Sequence, residues 1–93
     1  MAVQNDVQAA TRTTTGELVG GRARVRSLHY RSTATAGTVV LKDGGASGTT
    51  LLTINSPAAV GSNDLVIPDQ GILFKEDVHV TLTNVNAVTI IYA

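Results

Sequence analysis

The side chains of this sequence with chemical potential are two histidines, a few serines and carboxylates, and a cluster of arginines. A serine nucleophile needs a nearby base and a strained turn to present it. Neither Ser47, within Gly45-Ala-Ser-Gly48, nor Ser62, after Gly61, lies in a Gly-x-Ser-x-Gly elbow, and both fit the small-residue loops that any β protein uses. The absence of cysteine removes thiol chemistry, disulfides and Cys-ligated zinc together. His29 and His79 lie far apart, and neither belongs to a His-x-x-x-His pair, so a structural role is expected for both. Alternation places His79 on a polar strand face with Thr81 and Thr83, as a solvated or interface residue.

The carboxylates Asp43, Asp64, Asp69, Glu76 and Asp77 flank predicted turns or strand ends, where acidic side chains favour turning through local hydrogen bonds. No segment concentrates oxygen ligands in the Asp-x-Asp-x-Asp-Gly manner of a calcium loop. Gly44-Gly45 is followed by neither Lys-Ser nor Lys-Thr, so a phosphate loop is not indicated. No catalytic, cofactor-binding or metal-ligating residue is assigned, and no enzymatic activity is expected.

One charged constellation has a shape. Arg22, Arg24 and Arg26 alternate with Ala23 and Val25, so a strand would project them from one face at intervals of roughly 7 Å, with Arg31 further along. Three readings stay open: the solvated outer face of a half-buried strand, a stripe that grips an acidic protein surface, and a nucleic-acid contact. Neutral net charge and scarce aromatic residues favour the last least.

The elements that must carry these residues follow from size and composition. A chain of 93 residues is one domain, residues 1–93, and buries only roughly 60–65% of its unfolded surface, so its core is thin. With one Phe, two Tyr and no Trp, β-branched aliphatics fill that core, and these favour pleated sheet. Charged residues are 15% of the chain against about 25% in an ordinary globular protein, which hints at surface covered by partners. Zero formal net charge removes the electrostatic footprint of a nucleic-acid or membrane-surface protein, and neither partner is expected. No apolar run approaches about 18 residues, and residues 1–6 lack the layout of a secretory signal, so synthesis as a soluble cytoplasmic product is expected.

Along the chain, residues 1–15 read as an extended arm or first strand. From Arg22 the alternation places Ala23 and Val25 inward, but Leu28 and Tyr30 fall on the arginine parity. A bulge near Ser27 would turn all four inward. Residues 37–43 and 49–55 read as two strands joined by the glycine-rich residues 44–48. Residues 64–67 and 71–74 read as short segments around the turn Asp69-Gln-Gly71, with Pro68 as a stop. Residues 78–83 and 88–92, linked through residues 84–87, read as a terminal hairpin. Seven or eight short strands without a crossover helix predict an all-β fold, a single antiparallel β-sandwich or jelly-roll-like domain. Val88, Ile90 and Tyr92 line the core in this reading and leave Ile91 on the other face of an unguarded strand. Self-association as a trimer or small ring is therefore expected, with Ile91 in the contact unless the amino-terminal arm, with Val3 and Val7, covers it.

Arg22-Ala-Arg-Val-Arg with Leu28-His-Tyr30, residues 36–45 and residues 71–85 together resemble small virion-associated proteins of tailed bacteriophages, notably marine phages. The resemblance spans most of the chain and carries no catalytic motif. It implies a virion component, first of all a capsid decoration or cement protein on the capsid exterior, bound to the major capsid protein or another virion protein. A tail or neck component is the nearest alternative. A fibre-like module contacting host glycans is a third, with only Tyr30, Phe74 and Tyr92 as aromatic platforms.

Overall fold

The phase break at Ser27 organises the architecture. In the computed structural model, which describes residues 7–67 and 71–93, the longest strand is β3 (Ala23–Ser32). Three further strands are β7 (Ile72–Phe74), β8 (Val78–Thr83) and β9 (Val85–Tyr92). Val25 of β3 lies opposite Tyr92 of β9, yet Ser27 lies opposite Ile91, so Arg26 is an inserted residue. The bulge reverses the alternation as expected, and Ala23, Val25, Leu28 and Tyr30 are all buried. A second insertion, at Asn86 of β9, brings Val85 and Val88 to the same face, since Val85 pairs with Ser32 and Ala87 with Arg31.

The remaining strands are β1 (Gln8–Arg12), β2 (Gly16–Val19), β4 (Gly37–Asp43), β5 (Thr49–Ser56) and β6 (Gly61–Val66). They form two antiparallel sheets: sheet A in the order β1-β9-β3-β6, with β7 also on β3, and sheet B in the order β2-β8-β4-β5. The described residues contain no helix, and the fold is a β-sandwich. The strand expected within residues 1–15 is β1. Residues 1–6, with Val3, and the turn at Pro68 and Asp69 lie outside the described residues.

One expectation is overturned. The strands over residues 78–83 and 85–92 do not form a hairpin: β8 pairs with β2 and β4, whereas β9 pairs with β1 and β3. Only Asn84 separates them, too little chain for a two-residue hairpin turn. Asn84 takes φ 54°, a left-handed conformation that asparagine tolerates, and the chain bends across to the other sheet. Its amide donates to the Ala36 carbonyl at 3.2 Å, and its own carbonyl accepts from Thr33 Oγ1 at 3.0 Å. With β1 on one side of β9 and β3 on the other, the C-terminal strand is not a sheet edge.

Between the sheets, Val39 and Leu41 of β4, Val78 and Val80 of β8, and Val88 and Ile90 of β9 alternate inward and meet Leu28, Val25 and Phe74. Each such side chain contributes roughly 1.5–3 kcal/mol by leaving water. β6 and β7 run along one side of β3 as a single interrupted strand whose gap falls opposite Arg26. There Ile67 N–H donates to the Arg26 carbonyl at 2.9 Å. Gly71, at φ +82°, has its backbone so close to the Val25 carbonyl that any Cβ would collide with it.

Polar side chains tie the connections down. The Asp43 carboxylate accepts from Lys75 N at 3.0 Å and Glu76 N at 2.8 Å in the turn between β7 and β8. Asp77 Oδ1 in return accepts from Gly44 N at 2.9 Å and Gly45 N at 3.0 Å in the β4–β5 hairpin. Asp43 and Asp77 thus do what turn-flanking carboxylates were expected to do, though across strands rather than locally. Arg12 wraps the β1–β2 connection, donating to the carbonyls of Thr14 and Glu17. Thr15 Oγ1 accepts from Leu82 N at 3.0 Å and so extends the ladder beyond the start of β2.

Candidate interaction face

Arg24, Arg31, His29 and Ile91 share the outer face of sheet A, and register decides their neighbours. One row across the sheet reads Thr11, Thr89, His29, Asp64, and the next reads Ala9, Ile91, Ser27, Val66. The first row is polar and largely satisfied: Thr11 Oγ1 and Thr89 Oγ1 are 2.8 Å apart, and His29 Nδ1 contacts Asp64 Oδ1. The second is mostly apolar. Arg31 lies between Ala87 and Ser62, and Arg24 lies beside Leu73.

The even arginine row expected from alternation is not what forms. Arg22 precedes the strand and is exposed, Arg24 is on the outer face, and Arg26 is the half-buried bulge residue. The same insertion that rescues the core removes Arg26 from regular spacing. Arg24 and Arg31 therefore flank His29 on a face that also carries Asp64, so the patch mixes charges instead of concentrating one sign. Ile91 is on this face, away from Val88 and Ile90, as its parity predicts. It is half-buried, with Ala9 of the amino-terminal strand directly opposite.

Sequence reasoning did not find the His29–Asp64 contact, because the pairing depends on the register of β3 with β6 and no local spacing encodes it. Asp64 sits within a strand and not at a turn. The two side chains are 49% and 75% exposed, a setting in which such pairs contribute little to stability. Ser27 shares their face two residues from His29, a strand spacing of roughly 7 Å that is outside hydrogen-bond reach. Ser62 is an exposed residue of β6, and Ser47 is exposed in the β4–β5 loop. Among the described residues no pocket opens, and no group of three or more His, Cys, Asp or Glu gathers to hold a metal ion.

His79 occupies the outer face of sheet B, cross-strand from Glu17 and Lys42. Its Nδ1 is buried without a hydrogen-bond partner among the described residues. The two histidines thus lie on opposite outer faces of the sandwich. Tyr30 and Phe74 are core residues at 7% and 0% exposure, which leaves Tyr92 as the only half-buried aromatic among the described residues.

No family model matches this chain, and neither a curated protein nor a solved structure matches it.

Proposed function

We propose that this chain is a structural protein of a tailed-bacteriophage virion, a decoration or cement protein that binds the outer capsid surface and stabilises the head. In this reading it binds and does not catalyse. Its partner is the major capsid protein or another virion protein, and it takes neither nucleic acid nor membrane. The observation that carries the reading is the outside of the sandwich. Val60 and Val66 are 64% and 77% exposed, and a mostly apolar row through Ala9, Ile91, Ser27 and Val66 crosses sheet A, with Arg24 to one side of it and Arg31 to the other beyond the row of His29 and Asp64. A protein surface of this kind suits adhesion to a flat protein lattice, where apolar contact supplies affinity and arginines at the rim supply orientation. Burial of Tyr30 and Phe74 in the core weighs against the glycan-binding alternative, which needs aromatic platforms in solvent.

The test is reconstitution. Purified protein is added to phage heads that lack it, followed by sedimentation and cryo-electron microscopy of the particles. Density at regular positions on the capsid exterior is the expected result. Density at the neck or tail would favour the tail-component alternative, and failure to associate with any virion part would remove the reading altogether. Replacing Arg22 and Arg24 by Ser is expected to lower occupancy while leaving the melting temperature nearly unchanged.

A further inference from the structure

The sandwich ends laterally in five strands that have a partner on one side only among the described residues: β1, β6 and β7 in sheet A, β2 and β5 in sheet B. β7, at three residues, is too short to serve as a docking edge. Three of the others carry a charge that discourages pairing with another chain: Arg12 in β1, Glu17 in β2 and Asp64 in β6. β5 does not. Its eight residues, TTLLTINS, contain no charge and no proline, and they combine high β propensity with a length of roughly 26 Å. The connection from β5 to β6 adds exposed apolar surface to the same side of the sandwich. Leu51, Val60 and Val66, three of the four large hydrophobics most exposed among the described residues, belong to β5, β6 and the link between them.

We propose that the β5 edge is a docking strand for the β5 of a second copy of this chain, paired antiparallel about a two-fold axis. The occupant follows from self-complementarity. Opposed residues in an antiparallel pair share a face. Leu52 and Ile54 point toward the core and are only half-buried, whereas Thr53 points outward. Placing Thr53 opposite its own symmetry mate sets Leu52 of each copy against Ile54 of the other. Shifting by two residues in either direction would set Ile54 against Thr50, or Leu52 against Ser56. Those shifts oppose Leu52 to Leu52 or Ile54 to Ile54 but leave the other residue against a polar one. Only the first register gives both core-facing residues of each copy an apolar partner, and no charge faces another along the seam. Zero formal net charge leaves two copies without long-range repulsion. An isologous contact of this kind closes at two copies, so a dimer replaces the trimer or ring expected from the C-terminal strand. The inference does not rest on the virion reading, since the isolated protein suffices to test it.

The test uses the purified chain and the absence of native cysteine. Sedimentation velocity across micromolar concentrations is expected to show a monomer–dimer equilibrium, with Thr53→Lys weakening the dimer by at least about tenfold. Independently, Thr53→Cys is expected to form an intermolecular disulfide under mild oxidation, because opposed residues of paired strands meet disulfide geometry. Val40→Cys, on the same face one strand inward, is expected to form no such cross-link. A protein that remains monomeric throughout, a dimer indifferent to Thr53→Lys, or equal cross-linking by the two cysteine variants would each overturn the proposal.

Discussion

Asp43 and Asp77 hold each other's turns: the carboxylate of each accepts hydrogen bonds from the backbone amides of the loop that the other begins or ends. The exchange joins the β4–β5 hairpin to the β7–β8 turn, and with it the placement of β5 to that of β7. The amides of Lys75 and Glu76 hold the Asp43 carboxyl below its ordinary value of 3.8, with the Asp77 amide and the Lys75 charge adding to the effect and partial desolvation opposing it.

A group whose pKa is depressed on folding contributes stability above its unfolded value and loses that contribution as pH falls through its folded value. The melting temperature of Asp43→Asn is therefore expected to lie below that of the wild type at neutral pH. The gap should stay constant down to about pH 5 and narrow once pH falls below 3.8. Thermal melts of both proteins between pH 2.5 and 7, in about half-unit steps, check this; a gap that widens in acid would contradict it.

Gly71 and Gly45 share a left-handed φ of +82°, but a Cβ on Gly71 would strike the Val25 carbonyl, whereas one on Gly45 would enter open space. Gly45→Ala is expected to cost about 1–2 kcal/mol from backbone strain alone. Gly71→Ala should cost clearly more, because β7 must move off β3. Denaturant unfolding of the pair separates collision from strain, and equal losses would argue against the close approach.

Phe74 is the largest fully buried side chain of the described residues. Phe74→Ala is expected to destabilise by about 3–5 kcal/mol, a large part of the total stability of a domain this small. Phe74→Leu should cost markedly less, since it keeps most of the volume. Urea denaturation midpoints decide the matter.

The His29–Asp64 contact is expected to be weak. A double-mutant cycle with His29→Ala and Asp64→Ala should give a coupling below about 1 kcal/mol that fades in about 1 M salt. A coupling several times larger would mark the pair as a structural or functional centre.

The strands themselves were readable in the sequence because the period of two survives wherever one face is buried, as in Val78, Val80 and Val88, Ile90. The bulge in β3 was readable too, since the inward set changes parity between Val25 and Leu28. The pairing of strands was not. A period reports which face is buried and says nothing about which neighbour supplies the hydrogen bonds. Residues 78–92 therefore resembled a hairpin, although Asn84 sends the two strands to different sheets. His29–Asp64 and Asp43–Asp77 escaped notice for the same reason, being products of register between strands far apart in the chain.

The place of β9 in sheet A also sets the order in which the protein can be built. Gln8 lies opposite Tyr92 and Arg12 opposite Val88, so β1 has no sheet partner until nearly the whole described chain has left the ribosome. β4 and β5 alone form a hairpin of sequence neighbours. Sheet B can begin from that hairpin, and β3 can gather β6 and β7, but sheet A is completed only when β9 slots between β1 and β3, a non-local step that puts the folding of this small domain on the slow, millisecond-to-second side of its size class. In the interval the apolar faces of β3 and β5 are exposed together, and the nascent chain is most vulnerable to joining a neighbour on the same polysome.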